Sequence, residues 1–78
     1  MTTTEIQQII IELIAKAQGI AAAEIRGNHS FPELGLDSLA AMFLLDDLEK
    51  KLGREINPML FWEHPTIEKF AASLANAN

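Results

Sequence analysis

The sequence contains no cysteine, and this absence excludes several kinds of functional site. Without thiols, the chain cannot form a disulfide, a thiolate metal site or a cysteine nucleophile. Basic residues are also few, because 6 Lys and Arg face 11 Asp and Glu and leave a formal net charge of −5. A nucleic-acid interface needs clustered basic side chains that displace counterions, so we expect no nucleic-acid partner.

Long apolar segments and targeting signals are also missing. The longest apolar run spans residues 39–45, whereas a membrane-spanning helix needs about 20 apolar residues. The first residues, Met-Thr-Thr-Thr-Glu, lack the basic and apolar regions of a signal peptide. We therefore expect no membrane association and a cytoplasmic location. The sequence leaves open whether the chain is free-standing or a domain excised from a longer protein.

The length of 78 residues limits both the number of domains and the depth of any site. We expect a single domain, residues 1–78, because single cores typically use about 100–150 residues. A chain of this size buries roughly 60% of the surface that its unfolded form exposes. Such a core is too small to enclose a deep, water-filled active site, so we do not expect an enzyme.

Helical patterns account for most of the chain, whereas strand patterns are nearly absent. Apolar residues recur at intervals of three and four, which predicts helices at about 4–17, 38–52, 58–62 and 66–75. The predicted fold class is all-α, a bundle of three long helices and one short third helix. Residues 18–36 follow no helical period and form a long loop. We expect five apolar residues to anchor this loop to the core: Ile20, Ile25, Phe31, Leu34 and Leu36.

Capping residues mark the ends of the two longest helices. Thr4 is predicted to cap the first helix in a capping box with Gln7, and Gly19 is predicted to end it. Asp37 is predicted to be the N-cap of the second helix. Gly53 is predicted to end that helix.

The third and fourth helices are predicted to be shorter. Asn57 is predicted to cap the third, with Pro58 at its first position, and Trp62 is predicted to pack at the edge of the core. Thr66 is predicted to cap the fourth helix, and residues 76–78 are predicted to fray. The predicted core residues are Ile6, Ile9, Ile10, Leu13, Ile14 and Ala17 in the first helix and Ile67, Phe70, Ala71 and Leu74 in the fourth.

The second predicted helix carries apolar residues on two opposite faces. Leu39, Met42 and Phe43 lie about half a turn from its other apolar residues, and Asp46 lies beside them. Either the long loop covers these three residues, or they stay exposed and recognise a partner. We predict that they are exposed, and we name Leu39, Met42 and Phe43 the apolar stripe. The residues predicted to face the core are Ala41, Leu44, Leu45, Leu48 and Leu52.

Ser38 begins the second helix and is the candidate for chemistry. A catalytic serine needs a base and a group that orients this base, and neither His29 nor His64 lies in such a pattern. Two isolated histidines and scattered carboxylates lack metal-ligand spacing, so we expect neither catalytic residues nor a metal site. A helix N-terminus favours phosphate through its free N–H groups and dipole. Ser38 is therefore well placed to carry a phosphate ester made by another protein.

Residues 34–39, Leu-Gly-Leu-Asp-Ser-Leu, resemble the phosphopantetheine attachment motif of acyl and peptidyl carrier proteins. The resemblance continues through Leu-Leu-Asp-Asp-Leu-Glu at 44–49 and Phe-Trp-Glu-His-Pro-Thr at 61–66. It implies that a phosphopantetheinyl transferase using Mg²⁺ esterifies Ser38 with 4′-phosphopantetheine from coenzyme A. Acyl groups would then be held as thioesters on the terminal thiol of this arm. It also implies that Asp37 caps the helix and aids the modification.

The resemblance further implies partners and a branch of the family. Such a carrier would be a monomer that meets an acyltransferase, a ketosynthase or other synthase domains through the apolar stripe and Asp46. Fatty-acid carriers are similar to acid-rich rods, whereas residues 40–43 are apolar here, and residues 61–66 resemble carriers of modular polyketide synthases. A polyketide-type acyl carrier is therefore favoured. Peptidyl and fatty-acid carriers of the same fold stay open, as does an unmodified helical interaction module.

Overall fold

The computed structural model describes residues 1–76, in which four α-helices confirm the predicted all-α fold with a short third helix. Ala77 and Asn78, and with them the prediction that they fray, lie outside the described residues. Asn76 is the last residue of the fourth helix, one position beyond its predicted end. The helices are α1 (Thr3–Gln18), α2 (Ser38–Leu52), α3 (Met59–Glu63) and α4 (Ile67–Asn76).

The capping box of α1 lies two residues earlier than predicted. Thr2, and not Thr4, is the N-cap: Glu5 N–H donates to Thr2 Oγ1 at 3.1 Å, and Thr2 N–H donates to Glu5 Oε1 at 2.8 Å. The charged Glu5 carboxylate is a better acceptor at the positive end of a helix than the neutral amide of Gln7. Gly19 ends α1 as predicted, with a left-handed φ of 67°.

The buried face of α1 is rotated from the predicted one. Ile11 is 7% exposed although it was not predicted to lie in the core, whereas Ala17 is exposed. The helix packs against α4, α2 and the 3₁₀ turn Ala22–Glu24, so three neighbours, and not the helical period alone, set its buried face. The other predicted core residues of α1 are buried or pack partly buried against the core: Ile6, Ile9, Ile10, Leu13 and Ile14.

The long loop between α1 and α2 is anchored as predicted and joins the start of α4. Two 3₁₀ turns lie in it, Ala22–Glu24 and Pro32–Leu34. Phe31 N–H donates to the Pro65 carbonyl at 3.1 Å, and Ile67 N–H donates to the His29 carbonyl at 3.2 Å. Four of the predicted anchors are buried and the fifth is partly buried: Ile25, Phe31, Leu34 and Leu36, with Ile20.

The third helix begins one residue later than predicted. Pro58 is the N-cap of α3, and the Oδ1 atom of Asn57 accepts the Met59 N–H at 3.0 Å. Trp62 is 61% exposed and meets the core only through an edge contact with Phe61, 5.5 Å between ring centroids. The prediction that Trp62 packs at the core edge is wrong in extent, because a helix of one turn points Phe61 inward and Trp62 outward.

The end of α2 and the start of α4 agree with the sequence predictions. Gly53 ends α2 with a left-handed φ of 68°. Thr66 caps α4 through its Oγ1 atom, which accepts the Lys69 N–H at 3.3 Å. The rings of Phe31 and Phe61 stack with centroids 4.3 Å apart, and the Phe70 ring meets both edge-on at 5.7 Å, so an aromatic cluster joins α3 and α4 to the long loop. All four predicted core residues of α4 are buried: Ile67, Phe70, Ala71 and Leu74.

Candidate functional site

Ser38 is the first residue of α2, and Asp37 fixes where this helix begins. Asp37 has an extended backbone, and its Oδ1 atom accepts the Ala40 N–H at 2.8 Å. The Asp37 carbonyl accepts the Ala41 N–H at 2.8 Å, which closes the first helical turn. Asp37 is therefore the N-cap, as predicted, and Ser38 is exposed at the positive end of α2.

Two backbone N–H groups lie beside the Ser38 side chain at the start of α2. The first N–H groups of an α-helix have no intrahelical acceptor, and Asp37 takes up that of Ala40. Among residues 1–76, no backbone carbonyl accepts the N–H of Ser38 or Leu39. Together with the helix dipole, these donors stabilise negative charge, so the start of α2 fits a phosphate ester on Ser38.

The segment that leads into Ser38 is held by buried side chains and a backbone hydrogen bond. Leu34 and Leu36 are 8% and 6% exposed. Leu36 N–H donates to the Phe31 carbonyl at 3.2 Å. Between the two leucines, Gly35 adopts a left-handed φ of 82°, which glycine tolerates best. The backbone segment before Ser38 is therefore held in place, and the Ser38 side chain projects from its end.

The apolar stripe is exposed along the outer face of α2. Leu39, Met42 and Phe43 are 61%, 66% and 63% exposed. The alternative that the long loop covers them is therefore wrong, because the loop packs on the core and on the start of α4. The residues predicted to face the core are buried, or partly buried and packed against it: Ala41, Leu44 and Leu48, with Leu45 and Leu52.

An open groove of about 540 Å³ runs beside the apolar stripe. Asp46 lies at this groove and forms an exposed ion pair with Lys50, with Nζ 3.2 Å from Oδ2. Ile56 and Pro58 complete the groove, and the Ile56 N–H donates to Glu49 Oε2 at 2.7 Å. The helical period of α2 gives no sign of these two residues, since they come from the segment after the helix.

The two histidines lie outside α2, and one of them is tied into the long loop. His29 Nδ1 accepts the Arg26 N–H at 2.9 Å and so belongs to a turn of the long loop. No group of three or more His, Asp or Glu among residues 1–76 could hold a metal ion. Over the same residues, no helix is long and apolar enough to cross a membrane.

Comparison with known families identifies the family of this chain. The family model described as "Phosphopantetheine attachment site" matches residues 8–74. The chain belongs to this family. Its members bind 4′-phosphopantetheine covalently on a serine. The chain is therefore a carrier domain, and its fold and family are non-catalytic.

The proteins with similar sequences include polyketide synthases. The chain is 35% identical over 71 residues, or 91% of its length, to a phenolphthiocerol/phthiocerol polyketide synthase from Mycobacterium tuberculosis. It is 40% identical over 57 residues, or 73% of the chain, to the non-reducing polyketide synthase adaA of Aspergillus niger. The chain spans only 4% and 3% of the lengths of these two synthases.

Solved structures of carrier proteins share the fold. The acyl carrier protein Asl1650 from Anabaena sp. PCC 7120 is 34% identical and superimposes with a TM-score of 0.88, over 97% of this chain and 86% of that one. A free-standing peptidyl carrier protein from Acinetobacter baumannii is 32% identical, with a TM-score of 0.86 over 96% of this chain and 94% of that one. The fold is therefore common to acyl and peptidyl carriers.

Proposed function

We propose that Ser38 holds the 4′-phosphopantetheine arm and that the chain carries acyl intermediates of a polyketide pathway on it. The observation that carries the proposal is the contrast between the three serines of the sequence. The Ser30 hydroxyl accepts the Glu33 N–H at 3.3 Å, and the Ser73 hydroxyl donates to the Phe70 carbonyl at 2.7 Å. Ser38 alone of the three is exposed and begins a helix.

The proposed modification is a transfer of phosphopantetheine from coenzyme A. A bond forms between Ser38 Oγ and phosphorus, the pyrophosphate P–O bond breaks, and 3′,5′-adenosine diphosphate leaves. A separate phosphopantetheinyl transferase with Mg²⁺ accepts the hydroxyl proton. This chain contributes an exposed nucleophile, the cap of Asp37 and the N–H groups that stabilise the phosphate. The terminal thiol of the arm holds acyl groups as thioesters.

The apolar stripe, with Asp46 beside it, is the proposed docking surface for the transferase and for synthase domains such as an acyltransferase or a ketosynthase. Exposed apolar patches near charged residues are typical of interfaces, and this one begins directly after Ser38. The similarity to polyketide synthases supports synthase domains as partners. We further propose that residues 1–78 form one monomeric, non-enzymatic carrier domain that works in the cytoplasm.

A polyketide cargo is favoured over a peptide or a fatty acid by the identity of the relatives. Two polyketide synthases are 35% and 40% identical to the chain. A solved peptidyl carrier protein is 32% identical to the chain, so a peptide cargo stays an alternative. Loading assays with malonyl and aminoacyl thioesters on the arm, each offered to a ketosynthase and a condensation domain, would distinguish the two.

Intact mass spectrometry tests the assignment of Ser38. After incubation with coenzyme A, Mg²⁺ and a phosphopantetheinyl transferase of broad specificity, the chain should gain the mass of one phosphopantetheine group. Ser38→Ala should stay folded and gain none, whereas the matched control Ser30→Ala should still be loaded. Loading of Ser38→Ala would refute the assignment. No loading of the unaltered chain would leave the unmodified interaction module as the better explanation.

A further inference from the structure

The last residue of α1 contacts the segment that leads into Ser38. Gln18 is partly buried, and its Nε2 atom donates to the Leu34 carbonyl at 3.1 Å across 16 residues of sequence. A glutamine at a helix end would ordinarily extend into solvent, where its long side chain keeps its rotamer freedom. Here the amide is held against another part of the chain.

Gly35 makes this contact possible. A Cβ atom placed on Gly35 would lie 2.9 Å from Gln18 Nε2, closer than Cβ contacts occur in proteins. The glycine therefore has two roles, since its φ of 82° turns the chain and its missing side chain leaves room for the Gln18 amide. The amide lies over the peptide that joins Leu34 to Gly35.

The Leu34–Gly35 peptide is where the chain turns toward α2. The backbone leaves the 3₁₀ turn Pro32–Leu34 at Gly35 and continues through the buried Leu36 to the N-cap Asp37. Leu36 is held from one side by its hydrogen bond to the Phe31 carbonyl. The Gln18 amide, at the end of α1, holds the Leu34–Gly35 peptide that precedes Leu36. The direction in which the chain enters α2, and hence the position of the Ser38 hydroxyl, depends on both contacts.

We propose that Gln18 is a positioning residue for the loading of Ser38. This inference rests on the proposed function of Ser38 and adds a residue distant from it in sequence. A hydroxyl displaced by a fraction of an ångström still docks through the same apolar stripe but reaches phosphorus less often. Loss of the Gln18 hydrogen bond should therefore lower kcat of the transferase reaction and leave KM for the carrier unchanged.

The test compares Gln18→Met with Gln8→Met. Methionine has nearly the length of glutamine and cannot donate, and Gln8 is an exposed residue of the same helix. With transferase and coenzyme A fixed and the carrier varied, Gln18→Met should lower kcat by about three- to tenfold. Gln8→Met should match the unaltered chain. Gln18→Glu keeps the shape of the side chain but, when ionised, offers only acceptors to the Leu34 carbonyl, so it should lower kcat similarly.

The kinetic pattern separates positioning from a general loss of structure. If a variant is partly unfolded, the concentration of folded carrier, which is the substrate of the transferase, is lower than the total concentration. The apparent KM for the carrier then rises, and kcat is unchanged. A kcat equal to that of the unaltered chain in both Gln18 variants, or a rise in KM alone, would overturn the proposal. If the unaltered chain is not loaded at all, the proposed function fails and this inference fails with it.

Hydrogen exchange of backbone amides gives a second readout that needs no transferase. In Gln18→Met, the amides of Gly35 and Leu36, which donate to the Pro32 and Phe31 carbonyls, should exchange about threefold faster or more, because their segment opens more often. The Phe70 amide in α4 should exchange as in the unaltered chain. Unchanged exchange at both Gly35 and Leu36 would show that Gln18 does not hold this segment, and would overturn the proposal.

Discussion

The Oδ1 atom of Asp37 accepts the backbone N–H of Ala40 at 2.8 Å, across the position that Ser38 occupies. Asp37, the residue before Ser38, therefore starts the helix on which the Ser38 side chain is exposed. One carboxylate thus supports both the stability of α2 and the presentation of the hydroxyl. Substitutions at Asp37 can separate these two contributions.

Asp37→Ala should remove the cap and lower the free energy of unfolding by about 1 kcal/mol. Asp37→Asn keeps a side-chain oxygen that can cap, so its stability should stay close to that of the unaltered chain. If Asp37 acts in loading only as a cap, Asn should also restore the loading rate. If the charge itself aids the transfer, Asp37→Asn should keep its stability but should be loaded more slowly. Urea titration and a loading time course on the three proteins distinguish these cases.

Leu48→Ala should destabilise the fold strongly. Leu48 is 0% exposed, and replacing a buried leucine by alanine leaves a cavity that costs about 2–5 kcal/mol. This is a large share of the stability of a small domain, so partial unfolding at 25 °C is expected. Met42→Ala, also on α2 but 66% exposed, is the control and should change stability by about 0.5 kcal/mol at most. Equal effects of the two changes would contradict the assignment of the two faces of α2.

The elements that sequence predicted well are those governed by local chemistry. The caps Asp37 and Thr66 and the terminators Gly19 and Gly53 act within a few residues, so their patterns can be read directly. The exposure of the apolar stripe also followed from sequence, since a small bundle cannot bury opposite faces of one helix. These features define the start of α2, where the candidate site lies.

Some of the features that sequence missed depend on neighbours distant along the chain, whereas the errors at the capping box of α1 and at the start of α3 are local shifts of one or two residues. Ile11 is buried and Ala17 exposed because of what packs against each, and helical period alone cannot give the width of that contact. Trp62 is exposed because Phe61 takes the inward position of a one-turn helix. The hydrogen bond from Gln18 to the Leu34 carbonyl brings a helix end to a loop, and neither residue carries a sequence signal for it.

The capping box of α1 should make stability depend on acid. Hydrogen bonds from the backbone and side chain of Thr2 hold the pKa of Glu5 below its ordinary value of 4.5. The unfolded chain therefore binds a proton at a higher pH than the folded chain, and the stabilisation, complete above about pH 4.5, is lost as the pH falls through the lower folded value. Between pH 5 and 3, Glu5→Gln should lose less stability than the unaltered chain, as measured by urea titration.

Thr2→Ala is the control for this dependence on acid. It removes the hydroxyl of Thr2 and weakens the cap at every pH. The difference in the free energy of unfolding between Thr2→Ala and the unaltered chain should narrow toward pH 3, because the Glu5 carboxylate that completes the capping box is protonated there. A difference that stays constant over this range would mean that Glu5 does not couple the cap to pH.

Phe43→Ser tests the apolar stripe as a docking surface. Because Phe43 is 63% exposed, the free energy of unfolding should change by only about 0.5 kcal/mol. Transferase kcat/KM for the carrier should fall by about fivefold or more, which corresponds to about 1 kcal/mol for an interface anchor. Ala17→Ser is a matched control, since Ala17 is exposed on another helix, and it should leave both quantities unchanged. A loss of several kcal/mol of stability in Phe43→Ser would show that this side chain is part of the core.

Dependence on salt identifies which part of this surface binds. Contacts of an apolar stripe change little between 0.05 and 0.5 M salt, whereas attraction between exposed charges is screened over this range. We expect KM for the carrier to rise by about twofold or less, because Asp46 is the exposed carboxylate beside the stripe and is already paired with Lys50. Asp46→Ala should remove most of that rise, while Phe43→Ser should keep it. A tenfold rise in KM that Asp46→Ala abolishes would show that charge, and not the apolar stripe, governs docking.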